Sequence, residues 1–296
     1  MLRFVLRRLA LMVPVLVGLS ILLFAWLRAL PGDPARSMLG QRATPEGIAR
    51  INAEYGFNEP ILTQYFTYMK ALLSGDFGQS IKTGEAVTSA FIDKFPATME
   101  LGVTALLLAV VVGVPLGYLA ARHQGRWLDS LVVSGSLLGV VTPVFFLAIL
   151  LKLVFANWLD IFPSSQRQDV RIDATHVTDF YVLDGILTRE WDAAWDAVLH
   201  LILPAVALGT IPLAIIVRIT RASVLDVVNE DYVRTANAKG LATSTVRRRH
   251  IIRNALLPVS TTIGLQTGLL LSGAVLTETV FAFGGVGSAL YDALFA

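Results

Sequence analysis

The stretch LGVTALLLAVVVGVPLGYLAA, Leu101 to Ala121, decides how this chain is read. It carries no Asp, Glu, Lys or Arg and ends at Arg122. At about 1.5 Å of rise per residue it reaches across the roughly 30 Å hydrocarbon layer of a bilayer. Four further runs repeat the pattern: Leu9 to Leu27 between Arg7–Arg8 and Arg28, Leu131 to Leu151 before Lys152, Ala197 to Val217, and Ala255 to Thr277 between Arg253 and Glu278. The run from Ala197 holds His200, Pro204 and Pro212, which a membrane helix tolerates because neighbouring helices satisfy the backbone groups that proline frees. The expected fold class is therefore all-α, a polytopic membrane protein with five predicted transmembrane helices. Composition agrees: of 296 residues 55% are hydrophobic and only 16% charged, with mean hydropathy +0.65, which excludes an ordinary water-exposed surface.

Charge placement sets the orientation. With the N terminus inside, the inner segments hold Arg3, Arg7, Arg8, Arg122, Arg126 and eight basic residues between Arg218 and Arg253, against Asp129, Asp226, Glu230 and Asp231. That is a net +9 inside and −7 outside, the sign the positive-inside rule requires. The overall +2 is too small to argue for nucleic acid as a partner. The first run reads as a retained anchor, because its uncharged stretch is long and Leu30-Pro31-Gly32-Asp33 offers no small-x-small cleavage site.

Residues 1–30 thus form a basic flank and first span, and residues 31–96 a helical loop outside. In that loop Thr44-Pro45-Glu46 starts a helix that Gly56 stops, Pro60 to Ser74 forms a second with Tyr65, Phe66, Met69, Leu72 and Leu73 on one side, and Glu85 to Phe95 a third that ends before Pro96. The second outer segment, Lys152 to Asp196, has eight acidic residues and Trp158, Trp191 and Trp195, which suit an interfacial belt. It reads equally as a solvated loop or as a docking surface for a soluble protein.

Inside, the loop 218–254 is the most informative. Asn229-Glu230-Asp231 caps and charges a helix start, Tyr232, Val233 and Ala236 give it an apolar side, Lys239 suits the negative end, and Gly240 fits a left-handed stop. Thr243 or Ser244 then starts a second helix that runs through Arg247, Arg248 and Arg249 into Pro258. Such a basic amphipathic element either lies on lipid headgroups or forms a knob for a cytosolic partner. Small residues four apart, Gly113 and Gly117, Gly135 and Gly139, and Gly264, Gly268 and Ser272, allow close helix approach within the chain or to a second membrane subunit. Pro115, Pro143, Pro204 and Pro212 are candidate kinks.

Several chemistries are missing. The sequence has no Cys, so thiol catalysis and Cys-ligated metals are excluded, and His123, His176, His200 and His250 lack metal-ligand spacing. No G-x-x-x-x-G-K-[ST] phosphate loop, H-E-x-x-H helix or G-x-S-x-G elbow occurs, so the expectation is a chain that is not an enzyme and binds no cofactor. The span interiors carry no ionisable carboxylate or amine for an ion relay, and Gln266 is the main polar side chain of the last span. An ion-driven carrier is disfavoured on that ground. A non-transport scaffold whose basic loop binds lipid or a regulator stays open.

The loop Asp231-Tyr232-Val233-Arg234-Thr235-Ala236-Asn237-Ala238-Lys239-Gly240, followed by Asn254-Ala255-Leu256-Leu257-Pro258, resembles the ATPase-docking loop of the membrane permeases of bacterial ATP-binding-cassette (ABC) importers, of the dipeptide/oligopeptide/nickel type. Arg234-Thr235-Ala236, Gly240 and Leu257-Pro258 match that pattern, with Arg and Thr where Glu and Ala are usual, Asn237 where Arg is frequent, and a longer stretch to Leu-Pro. Leu2 to Leu9, Leu30 to Pro34, Gly75 to Ser80, Pro96 to Leu101, Glu278 to Phe281 and Gly284 to Gly287 resemble further blocks of the family in order. The resemblance implies a type I-like permease fold over 97–296, with 218–254 as the coupling loop. It also implies a multi-pass protein of the bacterial inner membrane that carries dipeptides or other small peptides. The partners implied are a second homologous permease subunit, two cytosolic ABC ATPases that use ATP and Mg, and an external solute-binding protein. Such permeases have a sixth span after the glycine-rich block, where this sequence reaches Ala296.

Overall fold

The computed structural model describes residues 2–29, 32, 34–40, 43–80 and 84–295. Its ordered elements are helices, and among the described residues the β pairing is a single antiparallel bridge between Gln79 and Ala86. The chain divides into two compact units, Met1–Ala90 and Phe91–Ala296.

The first unit begins with the span helix α1 (Leu2–Ala29), followed by α2 (Pro34–Leu39), α3 (Pro45–Glu54) and α4 (Ile61–Leu73). Thr44 caps α3, its Oγ1 accepting from the Gly47 N–H at 3.1 Å, with Pro45 at the first helical position. Gly56 (φ +66°) and Gly75 (φ +83°) take left-handed conformations just past α3 and α4, where a side chain would be strained. α4 meets α1 through Ser20 and Tyr65, whose oxygens are 2.9 Å apart, and through the Phe24 ring against Tyr65 and Tyr68. The packed side of α4 is narrower than its sequence implies: Tyr65, Met69 and Leu72 are half-buried, whereas Phe66 and Leu73 are exposed. Leu30, Pro31 and Asp33 of the second resembling block lie outside the described residues.

α5 (Val87–Arg122) corrects one expectation. The helix expected over Glu85 to Phe95 does not stop at Pro96; it starts at Val87 and runs unbroken through Pro96 and Pro115. An interior proline costs about 3 kcal/mol in an isolated helix. Here Pro96 is buried, and Ala97, Leu101 and Ala105 after it join a core with Leu201, Ala205, Leu208, Leu270, Ala274 and Phe283. That burial outweighs the local signal.

The remaining helices are α6 (Trp127–Val141), α7 (Val144–Leu151) with a π-helical continuation over Lys152–Trp158, α8 (Tyr181–Leu187), α9 (Trp191–Val228), α10 (Asp231–Ala238), α11 (Thr243–Thr245), a π-helical segment Val246–Ile252, α12 (Arg253–Gly273), α13 (Val275–Phe281) and α14 (Val286–Phe295). α1, α5 and α9 are each long and apolar enough to cross a membrane. Two bent pairs raise the number of candidate spans to as many as five. α6 and the α7 arm meet at 103°, and the α11–α12 helix and α13 at 59°. The third apolar run is thus two arms rather than one straight rod. Pro143 keeps Thr142 out of the helical region (φ −76°, ψ 122°), and the Thr142 N–H and hydroxyl both close the first arm on the Leu138 carbonyl.

α9 is the central post of the second unit, packed against α6, α7, α8, α12 and α13, with Pro204 and Pro212 buried inside it. Two glycines of α5 let α9 approach. A Cβ on Gly113 would sit 3.1 Å from Ile216 Cγ2, and one on Gly117 would sit 2.5 Å from the Val217 carbonyl oxygen. Gly139 of α6 meets Thr210 in the same way, whereas Gly135, Gly264 and Gly268 face open space. The Ser272 side chain lies outside the described residues.

Candidate coupling site

α10 hangs from the end of α9 and turns back onto the helix that becomes α12. Val233 and Ala236 are buried against Val246, flanked by Val227 and Ile251. The apolar side read from sequence is therefore used inside the chain and is not a free knob. Tyr232 stands on a neighbouring face, exposed, its hydroxyl accepting from Asn254 Nδ2 at 3.1 Å. Asp231, Arg234, Thr235, Asn237, Ala238 and Lys239 form the outward surface. On it Arg234 and Asp231 make only a loose, exposed 3.6 Å pair.

Both ends of α10 explain its placement. Asn229 does not cap α10; its side chain donates to the Leu225 carbonyl at 2.9 Å and its N–H closes the last turn of α9. Glu230 occupies the cap position with no side-chain bond, so the start of α10 leans on Asp231 and the helix dipole. The far end closes as a Schellman turn: the Gly240 N–H donates to Asn237 O at 2.9 Å and the Leu241 N–H to Ala236 O at 3.4 Å, with Gly240 at φ +72°. Leu257 and Pro258 are exposed near the start of α12. The link between the two stretches runs through Tyr232 and Asn254 instead.

A half-buried ion pair steadies the end of α9. Arg221 grips Asp129 with Nε–Oδ1 at 2.6 Å and a terminal nitrogen to Oδ2 at 2.7 Å, a bidentate arrangement, and Asp129 Oδ2 also accepts from the Gly125 N–H. The short turn between α5 and α6 is thereby tied to the helix from which α10 hangs. Ninety-two positions separate the pair, and no spacing signal in the sequence points to it.

A second polar cluster gathers three of the resembling blocks. The Thr98 hydroxyl donates to Glu278 Oε1 at 2.6 Å and accepts from the Val286 N–H at 2.9 Å, while Glu278 Oε2 accepts from Ser288 N–H at the start of α14. Glu278 is fully buried, and a Cβ on Gly285 would fall 2.5 Å from its Oε2. Next to it Glu100 accepts from Arg167 at 2.8 Å and from the Val182 N–H at 2.9 Å. Arg167 also donates to Asp179 O and stacks on Tyr181 with its guanidinium carbon 3.7 Å from the ring centroid. This clasp holds the acidic 164–190 segment to α5. Neither Glu100 nor Arg167 stood out in the sequence as a paired group. Trp158, Trp191 and Trp195 are exposed, as an aromatic belt requires.

With that geometry in view, similarity to known proteins has a structural meaning. Residues 113–296 match the family described as binding-protein-dependent transport system inner membrane component, and residues 1–102 match its N-terminal component. The chain belongs to this family: it is a membrane permease subunit of an ABC importer. It is 42% identical over 294 residues to the dipeptide transport system permease protein DppB of Alkalihalophilus pseudofirmus, spanning 99% of this chain and 88% of that protein. It is 45% identical over 299 residues to DppB of Escherichia coli K12, with the same coverage. The glutathione transport system permease protein GsiC of Salmonella paratyphi A is 34% identical over 294 residues, 99% of this chain and 87% of that protein.

Proposed function

We propose that this chain forms half of a translocation pathway for dipeptides or other small peptides, with its N terminus on the cytoplasmic side, and that α10 receives the motion of a cytosolic ATPase. A second homologous permease completes the pathway, two ATPase subunits supply ATP and Mg chemistry that this chain lacks, and an external binding protein delivers cargo. The peptide cargo rests on the relatives named dipeptide permeases at 42–45% identity, and the glutathione permease at 34% marks the nearest chemical alternative. The open Gly264 and Gly268 on α12, beside exposed Leu265 and Leu269, supply a smooth face for the second permease.

The observation that carries the coupling role is the rigid seating of α10. Its apolar residues are fixed on Val246 and its C terminus is closed by a Schellman turn, so a push on its polar face passes into the helix that continues as α12. A bistable arrangement of rigid elements needs no chemistry of its own to transmit movement. Gly240→Trp tests this. No atom crowds that position, but its left-handed φ strains any L side chain. Uptake is expected to be abolished with insertion intact, and Gly240→Asn, which tolerates the left-handed region, to retain much of it. Normal ATP-driven uptake by the Trp variant rejects the coupling role. The cargo itself is read by identifying what the cognate binding protein retains.

A further inference from the structure

The helix leading into α12 carries two cavities in line. The first is a cleft of about 590 Å³ bounded by Ser244, Thr245, Arg248 and Arg249. In the π-helical segment the two arginines follow the two hydroxyl residues by one turn, on the side turned away from buried Val246 and hence from α10. Neither Arg248 nor Arg249 makes an ion pair with a carboxylate among the described residues. Irregular π turns of this kind are often kept where a helix face does something specific.

The second cavity is an apolar slot of about 210 Å³ between α5, α9 and α12, lined by Val114, Tyr118, Thr220, Ile252 and Leu256 among others. Arg248, Ile252 and Leu256 are four residues apart and so share a row of the helix, which sets the slot about 6 Å along the axis from the cleft. Thr220 is almost fully buried and its hydroxyl has no hydrogen-bond partner. Thr210, Thr262 and Thr267 instead donate to the carbonyl four residues back. That oxygen is sealed from the slot, whose open wall is wholly apolar, so the slot offers an entrant hydrocarbon contact alone.

Depth fixes the class of ligand. Arg249 lies four residues, about 6 Å, beyond Arg253, the last charge before the apolar run, and each interfacial layer of a bilayer is about 5–7 Å thick. The guanidiniums therefore stand at the level of lipid phosphates and the apolar slot at that of the acyl chains. We infer that this helix face binds one anionic glycerophospholipid, its phosphate in the cleft at Ser244, Thr245, Arg248 and Arg249, and an acyl chain in the slot beside Thr220 and Leu256. Two unpaired arginines select a net negative headgroup over a zwitterionic one. The inference does not depend on the coupling role of α10 or on the orientation of the chain, and it adds a lipid brace to the element that joins α10 to the span.

The test uses the full chain extracted into mild detergent and exchanged against mixtures of phosphatidylglycerol and phosphatidylcholine, with bound lipid counted by native mass spectrometry. One retained phosphatidylglycerol is expected, preferred by about tenfold or more, the scale of two basic residues at an anionic surface. Arg248→Gln with Arg249→Gln should remove the preference, and Leu256→Trp, which fills the slot, should lower retention of both lipids. Circular dichroism and the thermal midpoint establish that each variant is folded. Equal retention of the two lipids by the native chain overturns the inference, as does a preference that survives the arginine changes. Competition by inorganic phosphate as effective as by the whole lipid would reduce the site to a simple anion cleft and also overturn it. Loss of a co-purifying acidic protein with lipid retention unchanged would assign the face to protein docking instead.

Discussion

Gly117→Ala isolates the packing of α5 on α9, and Gly264→Ala is its internal control. Both place a methyl group on a span glycine, and both gain the same helix propensity, about 1 kcal/mol. They differ in what the methyl meets. At Gly117 it would lie 2.5 Å from the Val217 carbonyl oxygen and 2.7 Å from Thr220 Cβ, whereas ordinary contact begins near 3.4 Å. One helix must retreat by about 0.9 Å, and the obstacle is backbone, which cannot rotate aside. Overpacking of this kind costs about 1–3 kcal/mol, and a backbone obstacle belongs at the upper end. At Gly264 nothing lies within 4 Å, so only the propensity gain remains. The propensity cancels between the two variants, leaving a difference of about 3 kcal/mol, roughly two powers of ten in the unfolding equilibrium. Equilibrium unfolding of the purified chain by SDS in mixed micelles reads that difference directly. Coincident transitions for the two variants would refute the close approach of α5 and α9. Gly264→Leu extends the logic outward: the chain's own stability should hold while association with the second permease weakens. The opposite pattern would move that interface off α12.

The clasp on the acidic segment and its pH response give two further expectations. Arg167→Met leaves Glu100 buried without its cation and should destabilise the chain by about 3–5 kcal/mol, whereas Glu100→Gln with Arg167→Met should recover most of the loss. Limited proteolysis between residues 164 and 190 distinguishes them, and equal cleavage of single and double variants would contradict a paired role. Glu190 accepts from the Thr175 N–H and hydroxyl, both at 2.9 Å, and these bonds hold its carboxyl below the ordinary range. Burial pushes Asp184 up, but bonds from the Thr178 hydroxyl and N–H and the Val177 N–H pull it further down, so it too rests below its ordinary value. Depressed folded values give stability that is complete above the ordinary carboxylate range, about pH 4, and lost as pH falls through the folded values. Hydrogen exchange at Thr175, Val177 and Thr178, corrected for intrinsic rates, should stay protected from pH 7 to pH 5 and fail first below pH 4. Loss of protection between pH 7 and pH 5 would contradict this.

The division between what was legible in the sequence and what was not follows the range of the forces involved. Candidate spans were legible because a charge inside hydrocarbon is costly wherever the helix sits, so Arg7, Arg28 and Arg122 bracket apolar runs without reference to any neighbour, whereas Lys152 lies inside the arm Val144–Trp158 and marks no end. Gly240 was legible because a left-handed turn is a property of one residue. Errors arose where a local signal competed with a distant one. Pro96 reads as a stop, yet the core built with residues a hundred and more positions away carries α5 through it. Asn229 reads as a cap for α10, but the same side chain can serve the helix before it, and the continuous backbone of α9 reaches it first. Val233 and Ala236 were identified as apolar, but only the fold reveals that Val246, beyond the glycine turn, consumes that face. Local pattern therefore located α10 while misassigning the surface it presents. Because Val233 and Ala236 are spent on the chain itself, the exposed surface of α10 is mainly polar and charged, with Asp231, Arg234 and Lys239 beside the Tyr232 ring. If α10 receives the ATPase as proposed, that docking should rest largely on charge and hydrogen bonding and weaken with ionic strength in a way a hydrophobic knob would not.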